Sequence, residues 1–135
     1  MESLYNIFRI KLSLVPMDYL RGFHNQINWK NRLICIMGQK GVGKSTLILQ
    51  HIRKYDNLDE TLYVTADNMY FSGHTLYELA GTFYSQGGKR LYIDEIHKYK
   101  EWSTEIKNIF DDYPTLQVVY SESSLLALRK GNKAD

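Results

Sequence analysis

The 135-residue chain has little cysteine, little proline and almost no excess of charge. Its one cysteine, Cys35, argues against a disulfide scaffold and favours a reducing, cytoplasmic compartment. Seventeen basic and 15 acidic residues give a formal net charge of +2, so the strong field of a nucleic-acid-binding or membrane-surface protein is missing. No stretch reaches the roughly 18 apolar residues that a membrane-spanning helix needs, and no small-residue cleavage site of a signal peptide follows the N-terminus. We therefore expect a cytoplasmic location, no membrane partner and no large nucleic-acid surface.

Apolar residues are frequent enough to build a core. They make up 44% of the chain, which excludes an intrinsically disordered protein. Short apolar runs alternate with stretches that repeat apolar residues at helical spacing, and this order predicts a parallel sheet with helices on both faces. The run at 33–37, LICIM, has no polar residue, which is typical of a strand buried on both faces. The predicted strands span residues 33–37, 61–65, 90–94 and 116–120, and the predicted helices span 44–55, 75–86, 101–112 and 123–129.

The first 31 residues are harder to interpret. Leu20, Phe23 and Ile27 have the spacing of one face of a short helix that begins after Pro16. The part before this proline is amphipathic in outline but gives no firm element. We therefore predict a single domain over residues 1–135, with 1–31 as an N-terminal extension and 32–135 as the core.

A glycine-rich loop follows the first predicted strand. Residues 36–49 read IMGQKGVGKSTLIL, and Gly38, Gly43, Lys44 and Ser45 satisfy the pattern G-x-x-x-x-G-K-[ST]. Glycine allows the backbone to curl so that successive N–H groups surround an anion, and the helix that follows adds its positive end. The lysine supplies a mobile positive charge to the outer phosphates, and the serine hydroxyl can bind Mg²⁺. The loop therefore predicts a nucleotide phosphate site; the alternative is a glycine-rich turn with no ligand.

Two acidic residues end the third predicted strand, LYIDE. In P-loop enzymes an acidic residue at the end of a buried strand holds the magnesium ion, and Asp94 is placed for this role. Hydrolysis also needs a group that orients and deprotonates water, and Glu95 is the next residue. The structural alternative is that both side chains cap the following helix.

Three segments, GQKGVGKST, LYIDEIHKYKEW and VVYSESSLLALRKG, resemble the AAA-domain ATPases of bacteria and archaea. These belong to the additional-strand class of P-loop ATPases, which includes AAA+ and signal-transduction ATPases, and the resemblance covers residues 29–132. It implies a three-layer α/β P-loop fold, ATP and Mg²⁺ as cofactors, and ATP hydrolysis.

The resemblance also assigns roles to single residues. It implies that Glu95 and Lys44 are catalytic, with Glu95 as the base, and that Ser45 and Asp94 hold the metal. Ser121 would be the polar sensor of the γ-phosphate or the water. The implied nucleotide-binding residues are Gly38, Gln39, Lys40, Gly41, Val42, Gly43, Lys44, Ser45, Thr46 and Ser121.

The chain departs from this family in two places. Glu122 stands where a small glycine usually follows the sensor residue, and a carboxylate at that place would repel phosphate unless it turns away or meets a cation. The fifth core strand is missing, so the strand at 33–37 is expected at a sheet edge, which needs a cover. Either the chain is truncated at its C-terminus, or residues 1–31, self-association or a partner chain cover that edge.

Other readings of the sequence remain open. A non-catalytic nucleotide-binding or interaction module would explain both departures, and a small-molecule kinase would share the glycine loop. Residues 132–135 spell the NKxD motif of GTPases, but they follow a predicted helix instead of a buried strand. His97, which follows the acidic pair, could sense phosphate or pH. The simpler reading is a hydrogen-bonding residue at a helix start.

Overall fold

The computed structural model describes residues 1–18, 22–38 and 43–123. The middle of the glycine loop and all but the first residue of the predicted helix at 123–129 therefore lie outside the described residues. Four α-helices and four strands form within the described part, joined by short 3-10 turns. In chain order the elements are α1 Glu2–Leu14, β1 Leu33–Gly38, α2 Lys44–Tyr55, β2 Thr61–Thr65, α3 Leu76–Ser85, β3 Arg90–Asp94, α4 Trp102–Asp112 and β4 Gln117–Ser123, with 3-10 turns at Gly22–Gln26, Leu58–Glu60, Met69–Ser72 and Ile96–Lys98.

The strands form one parallel sheet in the order β1-β4-β3-β2. Parallel neighbours need crossover connections, and each crossover contains one of the helices that the apolar spacing predicts. All strands therefore end at the same edge of the sheet. The predicted parallel α/β architecture is confirmed, and β1 is an edge strand of the described sheet.

Helices cover both faces of the sheet. On one face, Phe8 of α1 stacks on Tyr63 of β2 with ring centroids 6.3 Å apart. On the other face, Trp102 of α4 packs against Tyr120 of β4 with ring centroids 5.6 Å apart. The core lies in the two layers between helices and sheet, as the three-layer prediction requires.

Strand β1 corrects the prediction of a strand buried on both faces. Ile34 and Ile36 are buried, but Leu33, Cys35 and Met37 alternate with them and are exposed. Side chains of a strand alternate between faces, so one face of β1 is covered within the described residues and the other is open. An apolar run therefore does not by itself show that both faces are buried.

The N-terminal helix α1 is an element that the sequence reasoning missed. Leu4, Phe8 and Leu12 recur every four residues and are all buried. The helix packs beside β2 and α2. Pro16 follows α1 in the chain, and its carbonyl accepts a 2.8 Å hydrogen bond from Nε2 of Gln50 in α2. Helix α1 therefore lies on the β2 side of the sheet and is not a cover for the β1 edge.

Strand β4 is longer than predicted. It continues through Ser121 and Glu122 to Ser123, which pairs with Gly38 of β1. The predicted start of a helix at Ser123 is therefore wrong, because parallel pairing with β1 holds this residue in the sheet. No helix of the described residues is long and apolar enough to cross a membrane.

Candidate nucleotide site

The glycine loop joins the end of β1 to the start of α2. Gly43, at the N-cap of α2, has φ 94° and ψ 24°, the left-handed conformation that glycine adopts without steric cost. Lys44 is the first residue of the helix and is buried, and its Nζ donates a 2.6 Å hydrogen bond to the Gly38 carbonyl. The lysine ammonium is therefore folded back over the end of β1. Of the predicted phosphate-binding residues, Gln39, Lys40, Gly41 and Val42 lie outside the described residues, and Thr46 is half-buried in the first turn of α2.

Asp94 is the centre of a buried polar cluster at the carboxyl edge of the sheet. The residue is only 1% exposed. One carboxylate oxygen, Oδ2, accepts hydrogen bonds from the Ser45 and Tyr63 hydroxyls, and Oδ1 accepts one from the Ser121 hydroxyl. The Glu95 N–H also donates to Oδ1, at 3.1 Å. We call these five residues the Asp94 cluster; it brings four of the predicted site residues together.

The donors to Asp94 are uncharged. In the described parts of the chain, the carboxylate takes part in no ion pair. Hydrogen bonds satisfy its oxygens, and among the described residues no cation lies within ion-pair distance of them. A buried carboxylate that is hydrogen-bonded but not paired with a cation attracts a positive charge.

Tyr63 is the member of the cluster that sequence reasoning missed. It lies in the middle of β2, where an aromatic residue is typical of core packing. Burial raises the pKa of its hydroxyl, and the negative charge of Asp94 raises the pKa further. The phenol therefore stays protonated and acts as a hydrogen-bond donor to Asp94.

Glu95 adopts an unusual backbone conformation directly after Asp94. Its φ of 55° and ψ of 48° lie in the left-handed region, and among the described residues it is the one non-glycine with positive φ. Its N–H donates a 2.9 Å hydrogen bond to the Ser121 hydroxyl. Such a conformation costs roughly 1 kcal/mol or more and persists only where surrounding contacts fix it. The hydrogen bonds from the Glu95 N–H to Ser121 and Asp94 are such contacts.

The carboxylate of Glu122 does not face this cluster. Ser121 is fully buried and contacts Asp94, whereas Glu122, the next residue of the same strand, points to the other face. There burial raises the pKa values of Cys35 and Tyr120, and the charge of Glu122 raises them further. Of the cases left open for Glu122, a side chain that turns away fits the structure, because β4 continues as a strand through Ser123 and alternation turns this carboxylate to the other face.

A family model described as an AAA domain matches residues 30–135. The chain belongs to the AAA-domain family. Membership indicates nucleotide binding and an ATPase-type function, and it confirms the family that the sequence motifs suggested.

Two individual matches place this AAA domain among other proteins. It is 29% identical to the uncharacterized protein MJ1637 of Methanocaldococcus jannaschii, covering 76% of this chain and 24% of that protein. A solved structure of PCH-2 from C. elegans matches with a TM-score of 0.45 and 15% identity, covering 90% of this chain and 35% of that one. The AAA domain thus spans about a quarter of the length of the curated relative that it matches.

The donor set of the Asp94 cluster fits Mg²⁺. The ion prefers hard oxygen ligands and is usually held by one or two carboxylates together with substrate phosphates and water. The Ser45 hydroxyl and the Asp94 carboxylate are such donors and already contact each other at the start of α2. The described residues contain no group of three or more metal-ligating side chains, so a metal here would need phosphate oxygens to complete its coordination.

A second buried polar cluster of this AAA domain lies at the other end of α2. Asp56 accepts a hydrogen bond from the Tyr92 hydroxyl, and its Oδ1 lies 3.8 Å from Nε of Arg90 and 3.7 Å from Nε2 of His51. The Nδ1 of His51 lies 2.9 Å from Nε2 of His24. We call these residues the Asp56 cluster. Sequence reasoning did not identify it, because its members are far apart in the chain and match no motif.

The two ionisable groups at the centre of the Asp56 cluster are both shifted. Burial, followed by the charges of His24 and Arg90, lowers the pKa of His51 to about 4. Burial also raises the pKa of Asp56, against the opposing effects of the Tyr92 hydrogen bond and the Arg90 charge. At neutral pH His51 is therefore neutral, and Arg90 supplies the positive charge of the cluster.

Proposed function

We propose that this AAA domain binds ATP and hydrolyses it to ADP and phosphate with Mg²⁺. The observation that carries the proposal is the hydrogen bond between Ser45, at the start of α2, and Asp94, at the end of β3. It joins the two halves of a magnesium site at the helix terminus where Lys44 and the glycine loop would hold phosphates.

Each residue of the site would have a separate task. Lys44 and the backbone N–H groups of residues 38–46 would hold the phosphate oxygens, and Ser45 and Asp94 would hold the metal. Bound Mg²⁺ would neutralise charge on the transferred phosphate oxygens. Ser121 would supply a hydroxyl near the γ-phosphate or the water, and Glu95 would accept the proton of that water.

The experiment compares phosphate release and ATP affinity in three variants. Lys44→Ala is expected to abolish measurable ATP binding by calorimetry and with it hydrolysis, because the phosphates lose their main cation. Glu95→Gln is expected to keep ATP affinity but lower kcat by about 10²–10⁴-fold, the range of a lost general base. Lys107→Ala is the matched control, since Lys107 is an exposed residue of α4 paired with Asp111. Equal ATP affinity in the wild type and Lys44→Ala would contradict the proposal.

A non-catalytic nucleotide-binding module is the second candidate. It is favoured by the open edge of β1, which leaves the described sheet without the fifth core strand of the class. Clear ATP binding without any phosphate release by the wild-type chain would support this candidate over hydrolysis.

We further propose that residues 1–135 act as one domain in the cytoplasm. The packing of α1 on β2 and α2 supports the inclusion of the N-terminal extension. Self-association or a partner chain at the β1 edge stays a prediction, as do the absence of membrane and nucleic-acid partners. Sedimentation with and without ATP tests the self-association.

A further inference from the structure

Glu95 and His97 form a side-chain pair beside the Asp94 cluster. The Nε2 of His97 lies 3.2 Å from Oε2 of Glu95. The side chain of His97 is 11% exposed and that of Glu95 is 25% exposed, so the contact is largely shielded from water. A carboxylate only accepts hydrogen bonds, so the imidazole nitrogen that faces it must carry the hydrogen.

The backbone between the two residues is held tightly. Ile96 is fully buried and anchors the turn Ile96–Lys98. The Lys98 N–H donates to the Glu95 carbonyl at 3.0 Å, and the Tyr99 N–H donates to the Ile96 carbonyl at 3.0 Å. With its own N–H bonded to Ser121, Glu95 keeps freedom only in its side-chain rotamers. The His97 contact selects among these rotamers.

The other ring nitrogen of His97 makes no competing contact. Its Nδ1 is buried and has no hydrogen-bond partner among the described residues. A histidine that only stabilises a turn would be expected to bond the backbone through this atom. The polar contact that can orient this ring within the described chain is therefore the 3.2 Å approach of Nε2 to Glu95.

We propose that His97 is a positioning residue that holds the Glu95 carboxylate in one orientation for its reaction with water. This inference rests on the proposed hydrolysis. Because the carboxylate would act on water, loss of the contact would lower the rate of the chemical step and leave nucleotide binding intact. Small misplacements of a reacting group cost up to about a hundredfold in rate.

The first test is a kinetic comparison of two substitutions. His97→Ala is expected to lower kcat by about 10–100-fold, with the KM for ATP and the calorimetric affinity changed by less than about twofold. His97→Gln is expected to recover most of kcat, because its amide can donate to Glu95. His74→Ala, the loss of an exposed imidazole after β2, is the control. Equal losses in His97→Ala and His97→Gln, or a loss in affinity alone, would overturn the proposal.

A double-mutant cycle separates positioning from packing. In a Glu95→Gln background, His97→Ala is expected to cause less than about a twofold further loss of kcat, since the group that it positions is already removed. A purely structural role predicts the same loss in both backgrounds, which would contradict the proposal.

A third readout does not depend on activity. In ¹H–¹⁵N spectra of the nucleotide-free protein, the His97 Nε2–H is expected to exchange slowly enough to be observed, and Glu95→Ala is expected to remove the signal. Loss of the same signal in His97→Gln would assign it to His97. An unchanged signal in Glu95→Ala would disprove the contact. If the wild type releases no phosphate while this signal behaves as expected, the proposed hydrolysis fails, and with it the role in hydrolysis, but the pairing of the two residues stands.

Discussion

Two buried aspartates occupy opposite ends of α2 and have similar hydrogen bonds. Tyr63 and Tyr92 are direct partners on neighbouring strands, yet their hydroxyls serve different carboxylates, Asp94 and Asp56 respectively. Each phenol has a raised pKa, for which burial is the largest cause. The two clusters are therefore alike in burial and in their tyrosine donor.

The clusters differ in how the negative charge is compensated. Asp56 has Arg90 and His51 nearby, whereas within the described residues the contacts of Asp94 are all to neutral donors. Removing one partner of a carboxylate–cation pair destabilises the fold, because the other charge is left without its partner. A carboxylate with neutral donors has its oxygens in place but its charge free to attract a metal ion. Charge compensation, more than burial, therefore distinguishes the two aspartates, and we predict that this difference separates a structural from a functional role.

The largest effect is expected from exchanging each aspartate for its neutral isostere. Asp94→Asn should lower the rate of phosphate release by about a hundredfold or more, because the metal loses its carboxylate. Asp56→Asn should leave the rate within about threefold and lower the free energy of unfolding by about 1–3 kcal/mol. Steady-state kinetics and urea unfolding of both variants measure these quantities. Similar rate losses in the two variants would remove the distinction between the clusters.

A smaller effect is expected from the two tyrosines. Tyr63→Phe and Tyr92→Phe each remove one hydroxyl bonded to a carboxylate and should each cost about 1–3 kcal/mol of stability. Only Tyr63→Phe should also raise the Mg²⁺ concentration for half-maximal rate, by about tenfold, because its hydroxyl orients a proposed metal ligand. A magnesium titration of phosphate release checks this. The same Mg²⁺ dependence in both variants would mean that Tyr63 only stabilises the fold.

The smallest effect is a pH dependence of stability that arises at the Asp56 cluster. Burial lowers the pKa of His51 to about 4, so between pH 6.5 and 4 the unfolded chain binds a proton that the folded chain does not. The contribution of neutral, buried His51 to the free energy of unfolding is therefore fully present above about pH 6.5, and it is lost as the pH falls toward 4. The raised pKa of Asp56 acts in the opposite direction at the acidic end. We expect a net loss of about 1–2 kcal/mol after solvent screening.

Urea unfolding at about pH 7.5 and about pH 5 measures this loss. His51→Gln, which cannot titrate, should show a flatter dependence on pH. The same slope in the wild type and His51→Gln would show that other groups control the acid sensitivity.

Much of the fold could be predicted from the sequence, because its signals are local. The alternation of strands and helices, the glycine loop and the Asp-Glu pair each depend on neighbouring residues, and the parallel architecture and the family are confirmed. Helix α1 was missed although its signal was present, since Leu4, Phe8 and Leu12 recur every four residues. The predicted roles of the individual site residues stay predictions.

The remaining features could not be predicted, because they depend on the pairing of strands. Tyr63 meets Asp94 only through the order and register of β2 and β3, and an aromatic residue in a strand predicts core packing equally well. The orientation of Glu122 stayed open in the sequence, because the length of β4 decides the face to which this side chain points. The contact of His24 with His51 joins residues 27 positions apart and needs the fold to bring them together.

The position of β1 at the edge of the described sheet has a practical consequence for the purification of this protein. An exposed thiol, Cys35, lies on β1, and within the described residues the outer edge of this strand is unpaired. Two copies that met along this edge would bring two thiols to one interface. Air oxidation would then convert a weak encounter into a covalent dimer. Subunit counts should therefore be made in fresh reductant, with Cys35→Ser alongside.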